Sequence, residues 1–446
     1  MTKTLLLHTL AFLGINSFSF AQTSTTSFDQ NSLNRPGTNN IFIGVLTGYN
    51  NSEGNGNVFT GTIAGFNNTT GSNNVFSGNA SGINNSSGSD NVFIGYNSGF
   101  YNTIGNGNVF TGNNSGYNNT GGRNNVFTGN NSGYNNTGGQ ENTFMGNSSG
   151  YNNTTGSYNS FIGSNSGRNN TTGTRNVFTG GNSGPTNTVG SDNVITGYQA
   201  GFRNSTGSDN IFSGSSAGLS NTTGDRNVFN GASSGSNNTT GNENINIGYR
   251  AGYNNRAGNR NVFIGSNSGY FENNSDKLYI ENTDTSDPLI YGDFAKNHIT
   301  FNGQVGTGIG NTVFPTTVGG ADVSDYTLFV QGGLLSEEVR INTDWADYVF
   351  EDTYELKSLN EVESYINTNG HLPNVPSAKE VKASGIEMGE ITKIQQEKIE
   401  ELTLYLIEFN KKSELTEKRF QQINKRMEFL EKENSALKEE LVNLKK

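Results

Sequence analysis

The sequence has no cysteine among its 446 residues, which excludes disulfide bonds and thiolate metal sites. Histidine occurs only three times. Two of the three, His298 and His371, lie beyond the N-terminal segment, and they are far apart in the chain. We therefore expect no metal ion and no cofactor, and stability must come from stacking or from association of chains.

Lysine is missing from residues 40–274, where eight arginines balance eight acidic residues. The formal net charge of -11 therefore resides mainly in the C-terminal part of the chain. No stretch is basic enough to form a groove for phosphate backbones, so nucleic acid is not an expected partner. Four aspartates in these repeats are too few for a calcium roll, which needs acidic ligands in every unit.

Long apolar runs are also missing, and no stretch beyond the N-terminus approaches the roughly 18 residues of a transmembrane helix. The N-terminus itself has the pattern of a secretory signal, with Lys3, the apolar run 5–13 and small residues before position 22. We expect cleavage between Ala21 and Gln22, followed by a flexible lead-in at residues 22–39. The pattern predicts export to the periplasm, the cell surface or the medium.

A strict repeat fills residues 40–274. The pentapeptide Asn-Val-Phe-Ile-Gly and its variants recur every 17 residues, from Asn40 to Asn261, without insertion or deletion. Numbered from that asparagine, position 1 is Asn and positions 5 and 9 are Gly in all 14 units. A fixed period of this kind is typical of a solenoid, so the expected fold is mostly β, a parallel β-solenoid or β-roll of 14 coils.

Each column of the repeat has an expected structural role. Glycines mark bends, and asparagines stacked coil on coil can form amide ladders. In the second unit the columns are represented by Asn57, Phe59, Gly61, Gly65, Asn68 and Gly71.

The strand segment is apolar on both faces. Position 3 is Phe in 12 of 14 units, and position 2 is mostly Val or Ile, so opposite faces of one strand carry apolar side chains. A coil can bury only one face in its own lumen, which favours several chains side by side. The sequence leaves open whether phenylalanine faces the lumen or the axis between chains.

The Asn-Val-Phe-Ile-Gly units, followed by Ser/Ala-Gly, resemble the head repeats of bacterial trimeric autotransporter adhesins. This resemblance implies a left-handed parallel β-roll in which three chains share a core. The period here is longer than in that family, and Phe replaces a small residue.

Beyond the repeats, short apolar segments at residues 275–333 predict a β neck, and residues 334–385 predict a small α/β module. Two capping boxes, Ser358 with Glu361 and Ser377 with Glu380, predict short helices there. The module resembles the intramolecular chaperone domains of phage tail spikes and tail fibres, which trimerise the fibre. That resemblance implies a possible self-cleaving Ser-Lys pair, for which Ser336 and Lys357 are the candidates, although two glutamates follow Ser336.

The C-terminal segment, 386–446, has the heptad pattern of a coiled coil. Apolar residues alternate at three- and four-residue steps, with glutamate and lysine around them. The expected core residues are Ile399, Leu402, Leu406, Phe409, Phe420, Ile423, Met427, Leu430, Asn434, Leu437, Leu441 and Leu444.

These features together predict a non-enzymatic fibre, a homotrimer that attaches to cells, glycans or other surfaces. Three alternatives remain open. Position 13 is Thr in nine units, a hydroxyl column of the kind some ice-binding solenoids use. The chain could process itself through Ser336 and Lys357. Sugars could stack on the aromatic residues at position 10, such as Tyr117 and Tyr134.

Overall fold

The repeated strand segments stack in parallel, one per 17-residue unit, in a computed structural model of the chain. The structure describes residues 26–27, 37–310 and 313–444, so the predicted signal cleavage site at Ala21 and Gln22 lies outside the described residues. The solenoid strands are β2 (Ile41–Ile43), β3 (Val58–Thr60), β4 (Val75–Ser77), β5 (Val92–Ile94), β6 (Val109–Thr111), β7 (Val126–Thr128), β8 (Thr143–Met145), β9 (Ser160–Ile162), β10 (Val177–Thr179), β11 (Val194–Thr196), β12 (Ile211–Ser213), β13 (Val228–Asn230), β14 (Ile245–Ile247) and β15 (Val262–Ile264). They confirm a parallel β-solenoid of 14 coils.

Each strand pairs in register with the same position of the next unit, so that Phe42 lies beside Phe59. Successive rings then stack face to face, with centroids 4.6 Å apart for Phe59 and Phe76. Every phenylalanine of this column is at most 1% exposed within the single chain. Phenylalanine therefore faces the lumen in the 12 coils that have it at position 3, which answers the question that the sequence left open.

The glycine columns are required by the bends of the coil. Gly61 has φ +129°, and a Cβ there would lie 2.5 Å from the carbonyl oxygen of Gly78 in the next coil. Gly65 has φ +58°, and a Cβ there would lie 2.5 Å from the ring of Phe59. Both positions thus need a backbone conformation and a close approach that only glycine provides at low cost.

Both ends of the solenoid are extended by further strands. At the N-terminal end, β1 (Thr26–Ser27) pairs in parallel with β2. At the other end, β16 (Lys277–Ile280) pairs in parallel with β15, and β17 (Ile290–Asp293) and β18 (His298–Phe301) add two antiparallel strands. The parallel strand β16 takes up the open edge of the last coil, and the two antiparallel strands continue the sheet from it. They confirm the strands expected in this part of the neck.

Asp293 is buried in this C-terminal cap and is paired with two lysines. Its carboxylate lies 2.8 Å from Nζ of Lys277 and 3.2 Å from Nζ of Lys296. The hydrogen bond from Lys277, helped by Lys296, holds the pKa of Asp293 well below its ordinary value.

The chain divides into two units, Met1–Gly303 and Gln304–Lys446, and the division falls within the segment expected to form the neck. In the second unit β19 (Val305–Thr307) pairs in parallel with β22 (Leu328–Val330). Between them, β20 (Thr317–Val318) and β21 (Ala321–Asp322) form an antiparallel pair.

Helices dominate the rest of the second unit. A 3-10 helix (Asp347–Phe350) precedes α1 (Leu359–Asn369), α2 (Ala378–Ser384) and the long α3 (Met388–Asn443). Both predicted capping boxes are present at the N-termini of α1 and α2, and the described residues of 334–385 include no strand. None of the helices in the described part of the chain is both long and apolar enough to cross a membrane.

Candidate interaction surfaces

The asparagine columns of the solenoid are internal and structural. Asn68 at position 12 donates from Nδ2 to Oδ1 of Asn51 at 2.7 Å and to the carbonyl of Gly71 at 2.9 Å. At position 1, the backbone N–H of Asn57 donates to Oδ1 of Asn40 in the preceding coil at 2.8 Å. These side chains are fully buried, so the ladders satisfy the turns and offer nothing to a ligand.

Position 8 was missed by the sequence reasoning. Its side chain is buried in every unit, and Ser98 donates from Oγ to the carbonyl of Phe110 in the next coil at 3.1 Å. The sequence did contain a sign of this burial, because position 8 holds only the small residues Ser, Ala or Thr in all 14 units.

The outer side of the strands is an apolar surface, which we call the strand face and define by positions 2 and 4. Val177 and Ile211 at position 2 are 40% and 46% exposed, and Ile94 at position 4 is 44% exposed. Similar side chains recur along the solenoid, with threonine and serine between them. A surface along which exposed apolar side chains recur in this way is typical of an interface.

The aromatic side chains at position 10 stack on one another. Tyr117 lies between Phe100 and Tyr134 with ring centroids 4.9 and 4.8 Å away, and Tyr134 continues to Tyr151 at 5.0 Å. Arg168 then covers the last ring, with its guanidinium carbon 5.7 Å from the centroid of Tyr151. Because neighbours occupy the ring faces, this column presents ring edges to solvent, whereas sugars stack on faces.

The threonine hydroxyls at position 13 are used between coils. Thr154 donates from Oγ1 to the carbonyl of Thr171 at 2.9 Å, and Thr171 donates likewise to the carbonyl of Thr188 at 2.9 Å. Each hydroxyl hydrogen is therefore directed along the solenoid, which gives the column a structural role.

The helix α3 leaves its predicted heptad core exposed in the single chain. Ile399, Leu402, Leu406 and Phe409 are 57–70% exposed, and the apolar core positions further along the helix are exposed as well. We call this stripe the heptad seam, defined by the core residues given above.

The module packs against a different side of α3 through a polar network. The hydroxyl of Tyr348 donates to the carboxylate of Glu397, and that of Tyr354 donates to Glu401. Nζ of Lys398 lies between the two carboxylates, 2.7 Å from Oε1 of Glu397 and 2.9 Å from Oε2 of Glu401. Positions 397, 398 and 401 are outside the heptad core, so the module covers the back of the helix and leaves the heptad seam free.

The network shifts the titration of its members. Burial alone would raise the pKa of Glu397, but hydrogen bonds from Lys398, Tyr348 and Asn374 lower it below its ordinary value. The hydrogen bond to Glu397, together with burial, raises the pKa of Tyr348 to about 12. Sequence reasoning missed these contacts, because they join residues about 50 positions apart without any short motif.

The candidate self-cleavage residues occupy separate environments. Ser336 is exposed and donates from Oγ to the carbonyl of Glu338 at 2.7 Å. Lys357 lines a cavity of about 260 Å³ with Tyr405 and Lys398, and its carbonyl accepts from the Tyr405 hydroxyl at 2.5 Å. Ser336 does not line that cavity, so the described contacts do not bring the two residues together.

A second cavity, of about 500 Å³, lies on the solenoid at its last two coils and is lined by Asn254, Arg256, Ala257, Phe271 and Asn273. Within the described ranges, no group of three or more His, Asp or Glu residues is placed to hold a metal ion. No protein-family model, no curated protein and no solved structure matches this chain.

Proposed function

We propose that this chain is the subunit of a secreted or cell-surface fibre, a homotrimer without enzymatic activity that attaches to cells, glycans or other surfaces. The solenoid forms the shaft, and α3 joins the chains as a coiled coil. The export that this requires rests on the predicted signal sequence.

The exposed heptad seam carries the proposal. A 56-residue helix with an apolar stripe along most of its length is unfavourable in water as a single chain. Its charged and polar outer positions suit a solvated surface, and the module already occupies part of that surface. Identical helices meeting along the heptad seam would bury the stripe without displacing the module.

The strand face supports the same conclusion from the other unit. Its apolar side chains run along all 14 coils, and the coil lumen is already filled by phenylalanine. Identical chains in parallel would present matching columns to one another at every coil. The likeness to trimeric adhesin repeats and to trimeric tail-fibre modules favours three chains over two.

Sedimentation equilibrium of the full chain tests the oligomer, and we expect a mass three times that of the subunit. Leu406→Asp in the heptad core should release smaller species, because each chain would bring a charge into the apolar seam. Lys411→Asp, on the outer side of the same heptad, is the matched control and should leave the mass unchanged. A monomeric wild-type protein would contradict the proposal.

Two of the three alternative functions, ice binding and self-cleavage, have less support, and the stacked rings at position 10 leave no free faces for the third. Ice binding through position 13 would need hydroxyls that are free to meet ice, whereas these donate to the next coil. Thermal hysteresis that disappears when Thr137, Thr154 and Thr171 are replaced would reverse this judgement. Self-cleavage would need Ser336 and Lys357 together, and two bands from the purified chain on a denaturing gel would support it.

A further inference from the structure

The last two coils depart from the repeat at exposed positions. Position 13 is Thr or Ser in every complete unit except the thirteenth, where it is Arg256. Position 11 is Asn in nine of 14 units, and Phe271, which occupies it in the last unit, is the more exposed of the two aromatic residues in this column, Tyr101 being the other. Stacking explains why columns stay constant, and it gives no reason for an exposed arginine and an exposed phenylalanine at these places.

The two departures lie in one groove. Arg256 and Phe271 line the 500 Å³ cavity together with Asn254, Ala257 and Asn273, and we call it the Arg256 groove. Phe271 is 66% exposed, and Tyr270 contacts it edge to face at a centroid distance of 4.6 Å. Its exposure distinguishes this ring from the central rings of the position 10 column, Tyr117 and Tyr134, which have stacked neighbours on both faces.

The groove also contains hydrogen-bond donors that the solenoid does not use. Asn254 accepts at Oδ1 from Asn237 at 2.9 Å, as in the rest of its column. Its Nδ2 would donate to position 11 of the next coil, but Phe271 has no acceptor there. Asn273 accepts at Oδ1 from the backbone N–H of Arg256 at 3.3 Å, and no described residue accepts from its Nδ2.

Arg256 differs from two neighbouring arginines that are held in ion pairs. Arg226 pairs with Glu243 at 2.8 Å and Arg260 pairs with Asp276 at 2.7 Å. No ion pair formed within residues 37–310 includes Arg256. Its guanidinium group is exposed and has an unused planar array of donors at the edge of the groove.

Glu272, the acidic residue that follows Phe271 in the chain, is engaged elsewhere. It stands at position 12, whose side chains are buried in the other coils, and it accepts from the backbone and side-chain amides of Asn274 at 2.7 and 2.8 Å. The hydroxyl of Tyr279 donates to its other oxygen at 2.8 Å. These three bonds occupy the carboxylate and leave Arg256 without an acidic partner.

We propose that the Arg256 groove binds a sugar that carries a carboxylate, such as a uronic or sialic acid residue of a glycan. Arg256 pairs with the carboxylate, Phe271 stacks on the apolar face of the ring, and the amides of Asn254 and Asn273 donate to ring oxygens or hydroxyls. The inference deepens the proposed function and rests on it. The groove lies at positions 11, 13 and 14, away from the strand face, so association along that face leaves it open.

Calorimetric titration of the full-length protein tests the site with two matched pairs of sugars. The first pair is trigalacturonate and its methyl ester, and the second is sialyllactose and lactose. We expect binding of at least one acidic sugar and none of its neutral counterpart. Binding of only one acid identifies which of the two carboxylated sugars the groove accepts.

Two variants restore the residue that the repeat has elsewhere, so neither should disturb the fold. Arg256→Thr and Phe271→Asn should each weaken binding of the acidic sugar about tenfold or more. Arg203→Asn is the matched control, since it also returns an exposed arginine at position 11 to the common residue, and it lies outside the groove. Its affinity should equal that of the wild type.

Three results would overturn the inference: no binding of either acid, equal binding of acid and neutral sugar, or unchanged affinity in Arg256→Thr. The proposed fibre is judged separately by its mass in sedimentation equilibrium. A trimer that binds neither acid would remove the Arg256 groove as a site and leave the fibre proposal in place.

Discussion

Asn246 occupies the place of phenylalanine in the core column of the solenoid. It is 1% exposed, and its Oδ1 has no hydrogen-bond partner in the described structure. The apolar core is divided at this point into two clusters. The amide ladder is interrupted at the same step between coils, because Oδ1 of Asn238 and Nδ2 of Asn255 are also without partners. The phenylalanine stack and the amide ladder are therefore both interrupted between the same two coils.

Replacing Asn246 by phenylalanine should stabilise the solenoid. The ring would extend the stack between Phe229 and Phe263, and the buried carbonyl without a partner would be removed. We expect a gain of about 1–3 kcal/mol in the free energy of unfolding, measured by denaturant titration. Ile195→Phe, at the other exception in the column, replaces an apolar residue and should change stability much less. A loss of stability in Asn246→Phe would contradict this account.

Gly65→Ala should be strongly destabilising. Alanine at this position would have to adopt φ +58°, and its Cβ would lie 2.5 Å from the Phe59 ring. We expect a loss of about 2–4 kcal/mol in the same titration. Gly138→Ala is the control, because a Cβ there would lie 3.8 Å from Thr155, an ordinary contact. Equal losses in the two variants would exclude the proposed reason for the glycine column.

Residue by residue, the sequence predicted the constant columns better than the variable ones. The constant Gly, Asn and Phe columns predicted the bends, the amide ladders and the core. Position 7 adopts φ near +55° in coil after coil, yet it holds residues as different as Ile63 and Arg250. Asn holds this position in six units, and its side chain donates to the same position of the next coil where that residue is also Asn, as from Asn97 to Asn114. The remaining units vary because the neighbouring coils fix the backbone. The face occupied by phenylalanine was equally undetermined, since both faces of the strand are apolar.

Among the elements, the packing of the module against α3 should depend on pH and weaken in acid. The folded-state pKa of Glu397 is lowered, so its contribution to stability is present above its ordinary value near 4.5 and is lost as pH falls below it. Trp345, the only tryptophan, precedes the 3-10 helix that carries Tyr348, so its fluorescence should change in this range. Glu397→Gln removes the titration and should flatten the change. An identical acid transition in that variant would contradict the role of Glu397.

The elements themselves were largely predictable. The capping boxes located the starts of α1 and α2. The short apolar segments at residues 275–333 predicted strands there, and Lys277–Ile280 and His298–Phe301 are among them. The polar network between Tyr348, Tyr354 and α3 was not predictable, because a heptad pattern describes the core of a helix and says nothing about its back. The Arg256 groove was also missed, although its departures from the repeat could have indicated it.

For the whole molecule, the strict period predicts that one complete repeat unit can be deleted without disturbing the remaining coils. Deleting residues 125–141 brings Asn142 into the place of Asn125, so every column continues without interruption. We expect the melting temperature to change by no more than about 4 °C, measured by circular dichroism. Deleting residues 125–132 alone leaves half a coil and should abolish the cooperative transition. If both deletions unfolded the protein, the coils would not be interchangeable.

The same register has a consequence for insertions and deletions. Because every coil presents the same columns to the next, gain or loss of one whole unit would change the length of the solenoid by about 4.8 Å and leave its cross-section as it was. Such a change before the last two coils would also leave the Arg256 groove intact. The length of the solenoid is therefore independent of how its interior is packed.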